Sequence, residues 1–221
     1  MKNLNIFSLV AEYENAKSEG TLITPNVSFI NESGGVICLP ELDDPYNGHE
    51  YVDLGLPSGT KWATMNVGAS SETDYGNYYQ YGKGAAQYAE TNGNSDYRGT
   101  EDPLDSSVDT AVQVWGGQWH MPTEAQMQEL IDNTTYEWVE NYKRSRINGG
   151  TFTATNGAVL FIPAAGLWFN GRKSGVGYNG YCWGSSPMDS TDAYNLEVSG
   201  IDATVNYNFR YNGYPVRPVV G

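Results

Sequence analysis

Histidine and cysteine are scarce in this 221-residue chain, with two of each. Cys38 and Cys182 are too few for a disulfide-stapled fold; they stand unpaired or form a single bridge. Together with His49 and His120 they give no ligand spacing of the zinc kind, and no metal or other cofactor is expected. Charge is scarce as well, since Asp, Glu, Lys and Arg make up 17% of the residues, below the usual share. Cations are the rarer sign: 12 basic side chains stand against 26 acidic ones, for a net charge of −14. A chain so poor in cations lacks the basic face that nucleic acid or an anionic membrane would need, so neither is an expected partner. No apolar run approaches the length of a membrane span, and membrane insertion is not expected. The opening stretch MKNLNIFSLVAEYENAKSEG has a short apolar run followed by Glu12 and Glu14, a poor match to a secretory leader.

Tyrosine, with 17 residues, and glycine, with 26, are abundant instead. Few charges with many Tyr, Gly and Asn suit an all-β or α+β domain with long ordered loops, not a helical bundle or a disordered chain. The charge is unevenly spread. Residues 1–162 carry 22 acidic and 8 basic side chains, whereas residues 163–221 carry four of each. The neutral last quarter, crowded with Tyr, Trp, Asn and Gly, has the composition of a binding surface more than of a core.

Along the chain, residues 1–20 read as a short amphipathic or irregular segment. Residues 22–30 and 36–39 are apolar around a turn composition at 31–35, which predicts a hairpin. The acidic, turn-rich PELDDPYNG at 40–48 is the best linker, and a boundary is placed near residue 48. Two short strands are expected to flank Pro57-Ser58-Gly59, and ordered loops to fill 68–100. One helix is strongly signalled: Thr123 caps it, Gln126 completes the capping-box spacing, and Met127, Leu130, Ile131 and Thr134 form an apolar stripe. A second helix is predicted over 104–114, with Asp102, Asp105 and Asp109 at its N-terminal end. Asn156-Gly157 between two β-type runs is a strong hairpin signal. Short strands and Gly-rich turns then alternate to the end, with no solenoid repeat.

The chemistry-bearing residues are thinly spread. His120, just before the capped helix, is the only base worth considering for Ser/His/Asp catalysis; a structural His is the expected role, and no GxSxG occurs. The carboxylates Glu101, Asp102, Asp105 and Asp109 have the spacing of a solvated helix start rather than of a glycosidase pair. Neither GxGxxG nor a P-loop is present, and no calcium-loop spacing follows Asp43-Asp44. Lys143-Arg144-Ser145-Arg146, the only basic cluster, fits a loop. The aromatics of the last quarter are interleaved with Asn, which resists burial without partners. In residues 205–211 alternation puts Val205, Tyr207, Phe209 and Tyr211 on one face and Asn206, Asn208 and Arg210 on the other; periodicity alone does not say which face is inside.

Several short motifs, in order, carry a resemblance. YVDLGLPSGTKWA at 51–63, Asn66-Val67-Gly68-Ala69, Tyr75-Gly76 with Tyr78-Tyr79, and Trp115-Gly116-Gly117 leading to Met121-Pro122-Thr123 form the first half. LFIPAAG at 160–166, Tyr181 and Trp183 with Ser185-Ser186-Pro187, and Pro215-Val216-Arg217-Pro218-Val219 form the second. Over residues 49–221 the chain resembles the Fibrobacter succinogenes major paralogous domain. That family is similar to the C-type lectin and formylglycine-generating-enzyme folds. The resemblance implies an α+β, C-type lectin-like domain with two helices, a twisted antiparallel sheet and long ordered loops, preceded by a short N-terminal β segment. Formylglycine-generating enzymes use an active-site pair of cysteines, and this part has only Cys182. Calcium-dependent lectins carry EPN or QPD with WND, and none occurs here.

The stretch from 160 to 219 also resembles the variable region of lectin-fold proteins diversified by retroelements in gut bacteria and their phages. Residues 202–211 contain only amino acids that adenine randomisation yields, and Cys182 fits the same set. Trp168, Lys173, Met188 and Glu197 lie outside it; they are undiversified or count against the idea. Residues 24–30, TPNVSFI, resemble N-terminal segments of structural proteins in Bacteroides phages. The resemblances together imply a non-enzymatic recognition protein. Residues 1–48 are expected to dock and oligomerise it on other virion or surface-assembly proteins. Residues 49–221 are expected to bind a host cell-surface protein or glycan. The expected setting is a virion fibre or decoration; the alternatives are a bacterial surface or fimbrial adhesin and an enzyme related to the formylglycine-generating fold. The expected ligand surface is Trp168, Phe169, Asn170, Arg172, Tyr178, Tyr181, Asn206, Tyr207, Asn208, Phe209 and Tyr211, with Pro163, Trp183 and residues 216–219 as scaffold.

Overall fold

A computed structural model of the chain describes residues 28–30, 36–38, 44–85 and 97–221. The chain divides after Asp44. In the first unit, β1 (Ser28–Ile30) pairs antiparallel with β2 (Val36–Cys38), in the register Phe29 to Ile37. The predicted turn at 31–35, the segment 1–20 and residues 40–43 of the linker lie outside the described residues, as do 86–96 of the expected loop region.

The second unit starts at Pro45, ahead of the boundary expected near residue 48. The reason is local bonding. The Pro45 carbonyl accepts from the Gln118 N–H at 2.8 Å, and the Tyr46 carbonyl accepts from Trp119 Nε1 at 2.8 Å. Asn47 Nδ2 donates to the Trp115 carbonyl at 2.6 Å. The end of the supposed linker is therefore part of the domain.

Strands β3 (Tyr51–Val52) and β4 (Lys61–Ala63) flank the Pro57-Ser58-Gly59 turn, and β13 (Val219–Val220) pairs with β4 on its other side. The end of the chain thus closes onto the start of the unit. A second sheet is the meander β5 (Thr134–Val139), β6 (Gly149–Ala154) and β7 (Val159–Pro163). Its β6–β7 hairpin turns at Asn156-Gly157 as predicted: Gly157 has φ +85°, and Asn156 Oδ1 accepts from the Ala158 N–H at 2.9 Å. The short hairpin of β8 (Leu167–Phe169) and β9 (Arg172–Ser174) follows, then the long meander of β10 (Asn179–Pro187), β11 (Asp192–Ser199) and β12 (Ala203–Phe209). All the paired strands run antiparallel.

Among the described residues two α-helices stand beside these strands, and the architecture is mixed α+β. In place of the one twisted sheet expected, several small sheets form. The strands of the two smallest sheets in this unit are short and end at turns that demand positive φ, Gly59 at +81° and the Asn170-Gly171 pair at +48° and +71°.

Helix α2 (Glu124–Asp132) has the predicted capping box. Thr123 Oγ1 accepts from the Gln126 N–H at 3.2 Å, and Gln126 Oε1 accepts from the Thr123 N–H at 2.9 Å. Its inner face buries Met127 and Leu130 completely. Helix α1 (Thr110–Val114) is much shorter than the 104–114 expected. Asp105 Oδ1 accepts from the Ser107 N–H at 2.9 Å and from its hydroxyl at 2.5 Å; this local turn competes with helix in the first part of the segment. Asp109 then caps α1 by accepting from the Val112 N–H at 3.0 Å.

The β10–β12 sheet separates two cores. Alternation along β10 sends Trp183 into a cluster with Tyr79, Tyr81, Trp119 and Tyr214, and sends Cys182 into one with Trp62, Met127, Leu130, Phe152 and Leu196. Cys182 is a free, buried thiol, and burial pushes it up to about 11. Arg217, in the segment expected to be scaffold, is wholly buried: Nε donates to Asn66 Oδ1 at 2.8 Å and Nη1 to the Ala63 carbonyl at 3.0 Å. Among the described residues no helix is long and apolar enough to cross a membrane.

Candidate ligand groove

The exposed face of the β10–β12 sheet follows from the register. Tyr181 on β10 lies opposite Glu197 on β11, Glu197 opposite Thr204 on β12, and Asn195 opposite Asn206. Leu196 and Val198 alternate with Asn195 and Glu197, and they are fully buried in the second core. Side chains of that parity leave Tyr181, Glu197, Asn206 and Asn208 on the opposite face. There they line a groove of about 430 Å³ with the β8–β9 hairpin and the 209–214 segment.

Aromatic rings form two sides of the groove. Phe209 and Tyr211 stack at 5.1 Å with 12° between their planes, and Phe169 packs on Tyr211 at 5.9 Å. Deeper in, Tyr181 stacks on Tyr214 at 4.8 Å, and Tyr214 on Trp183 at 4.3 Å. Trp183 is fully buried and its Nε1 donates to the Tyr79 carbonyl at 3.0 Å, so it supports the floor from below. Such offset and stacked pairs hold rings in fixed orientations. Amides fill the space between: Asn206 Nδ2 donates to Glu197 Oε2 at 3.3 Å, Asn208 Nδ2 to Asn195 Oδ1 at 3.4 Å, and Asn212 Nδ2 to the Tyr214 hydroxyl at 3.2 Å. Burial first, and then the neighbouring Glu197 carboxylate, push the Tyr181 phenol up to about 12, so it remains a neutral hydroxyl at neutral pH.

Of the eleven residues expected to bind, Phe169, Tyr181, Asn206, Asn208, Phe209 and Tyr211 come together in this groove. The other five do not. Trp168 points to the opposite side of its hairpin, 6.0 Å from the Tyr78 ring. Asn170 is at the hairpin turn, and Arg172, opposite Phe169 in the ladder, is exposed outside the groove. Tyr178 is 77% exposed on the turn before β10. Tyr207 falls on the other face of β12, where its ring meets Tyr194 at 6.2 Å.

The predicted grouping of 205, 207, 209 and 211 against 206, 208 and 210 fails at Phe209, where β12 ends and the chain turns. Arg210 consequently swings inward and is fully buried. Its guanidinium donates to the carbonyls of Gly99 (2.8 Å), Asp192 (3.2 Å) and Asp189, and lies over the Tyr81 ring at 4.8 Å.

Sequence reasoning missed Leu167, Glu197, Asn212 and Tyr214. Glu197 lies outside the set that adenine randomisation yields. Its signal was the alternation of Leu196 and Val198 around it, which assigns it to the face opposite the core.

A second cavity, of about 410 Å³, is lined by Leu104, Asp109, His120, Met121 and Gln126 among others. Asp109, expected on a solvated helix start, is buried there: its two oxygens accept from the Val112 and Met121 N–H groups, at 3.0 and 2.9 Å. Burial raises its pKa against the pull of those bonds and of His120. The carboxylate thus ties α1 to the segment before α2. His120 is half-buried, with Nδ1 3.0 Å from the Met121 carbonyl. Glu101, Asp102 and Asp105 each accept a hydrogen bond from a nearby Tyr or Ser hydroxyl. Among the described residues, no three His, Cys, Asp or Glu side chains converge as a metal site would require. Neither a family model, nor a curated protein, nor a solved structure matches this chain.

Proposed function

We propose that this chain is a non-enzymatic recognition protein, a virion fibre or decoration component whose C-type lectin-like second unit binds a ligand on the surface of a host cell. The observation that carries the reading is the groove, in which fixed aromatic planes alternate with amides on the exposed face of a sheet. Rigid rings supply contact area at low entropic cost, and amides supply adaptable hydrogen bonds, which is how binding surfaces are composed. The order of short motifs over 49–221 supports the lectin-like fold, and the resemblance of TPNVSFI supports a docking role for the N-terminal segment. In that role the protein works in several copies, and repeated weak sites gain avidity.

The test is binding of the labelled full chain to a panel of Bacteroides strains. Phe209→Ala and Tyr211→Ala should each weaken binding to a responsive strain by about tenfold, roughly 1–2 kcal/mol, as for truncation of a moderate hot spot. Folded variants that bind every strain as well as the parent would remove the groove from the recognition surface.

A further inference from the structure

We infer that the groove takes an uncharged saccharide; the inference names the ligand class of the site proposed above and rests on that reading. The charge of the lining is the first argument. Its one acidic side chain is Glu197, and it contains no Lys, Arg or His. Arg210, the nearest cation in sequence, is turned inward and spends its guanidinium on main-chain carbonyls. Within the lining, a sulfated, phosphorylated or sialylated ligand would therefore meet a carboxylate with no cation beside it; Arg172, across the ladder from Phe169, lies outside that lining.

Donor and acceptor matching is the second. Asn208 and Asn212 each use one side-chain hydrogen bond inside the protein, and Asn206 uses two. Each keeps further donor and acceptor capacity, and Glu197 adds acceptors only. An ammonium ligand has no acceptors for the amide N–H groups. A sugar hydroxyl both donates and accepts, so it matches amides and carboxylate at once. A sugar ring also has an apolar C–H face that fits flat against the Tyr211–Phe209 and Tyr181–Tyr214 stacks.

The sheet edge gives the third argument, against a peptide added as a strand. β12 is the outer strand of its sheet, where β-augmentation would occur. The Tyr207 N–H on that strand donates to Asn206 Oδ1 at 2.9 Å. That donor is already satisfied by a neighbouring side chain.

The experiment uses the full chain, multimerised on streptavidin, against a printed array. The array holds neutral gluco-, galacto- and manno-configured oligosaccharides beside their sialylated and sulfated counterparts. Binding to at least one neutral family is expected, with at least a tenfold drop in Tyr211→Ala and Glu197→Gln and none in Tyr207→Ala; melting curves check that each variant is folded. A further variant, Asn208→Lys, should gain binding to sulfated members. Binding to anionic glycans alone would overturn the inference while leaving the recognition role intact. So would an empty array together with cell binding that survives periodate and is abolished by protease. Neutral-glycan binding unchanged in both groove variants would overturn the site assignment. Failure to bind cells as well as glycans would sink the recognition reading itself.

Discussion

Replacing Leu130 by Ala tests whether α2 packs as its register implies. Leu130 is fully buried on α2, in a cluster with Trp62, Met127, Phe152 and Leu196. The change deletes Cγ and both Cδ carbons. At about 0.8 kcal/mol for each buried methylene-sized group, transfer alone accounts for about 2.4 kcal/mol. The neighbours include an indole and a phenyl ring that cannot slump into the space. A residual cavity of about 60 Å³ adds about 1.4 kcal/mol at roughly 24 cal/mol per Å³, for a total of about 4 kcal/mol. Urea unfolding followed by tryptophan fluorescence measures the loss, and a fall in Tm of about 8–16 °C should accompany it. Gln128→Ala, on the exposed side of the same helix, should change stability by less than about 0.5 kcal/mol. A loss below about 0.5 kcal/mol at Leu130, or equal losses at the two positions, would refute the helix face and the core built on it.

Trp183→Ala should cost about 3–5 kcal/mol and Tyr207→Ala less than about 1 kcal/mol, because Trp183 is fully buried while Tyr207 is half exposed; paired melts decide, and equal losses would contradict the two-faced sheet. A chain trimmed to 45–221 should melt well above one trimmed to 49–221. The longer piece keeps the bonds of Pro45, Tyr46 and Asn47, worth about 1 kcal/mol each, and equal stability would return the boundary to residue 48. Alkaline pH should unfold the second unit. Burial raises the phenols of Tyr78, Tyr81 and Tyr214, and it pushes Tyr136 and Tyr181 up to about 12. Their native pKa values thus lie above the unfolded value, so the stability they contribute is full below about pH 10 and is lost as pH rises toward 12 and beyond. Arg217, lowered to about 10 by burial, acts with the opposite sign over the same range, but it is one group against five. Reversible ionisation of every tyrosine near pH 10, read from tyrosinate absorbance with the fold intact, would contradict this account.

Local signals were read well because neighbouring residues decide them. Thr123 and Gln126 cap a helix through backbone groups three residues away, and Asn156-Gly157 turns a hairpin within four residues. The groove depended on longer-range information. Whether Asn206 or Tyr207 faces outward is set by the pairing of Leu196 with Val205 and by the core under β11, which no window on residues 205–211 contains. The same limit hid Arg210. Its burial is arranged by carbonyls at Gly99, Asp189 and Asp192, residues far away or on another strand. Asp109 looked like a surface carboxylate because its second partner, the Met121 N–H, comes from beyond α1.

The alternation along β12 has a consequence for how such a protein changes over generations. Ala203 and Val205 pack on the core, whereas Asn206 and Asn208 line the groove. Substitutions at the second pair reshape the groove without opening a cavity in the core, and substitutions at the first pair do the reverse. A single strand therefore carries two nearly independent inheritances. One is held fixed by packing, and the other is free to drift.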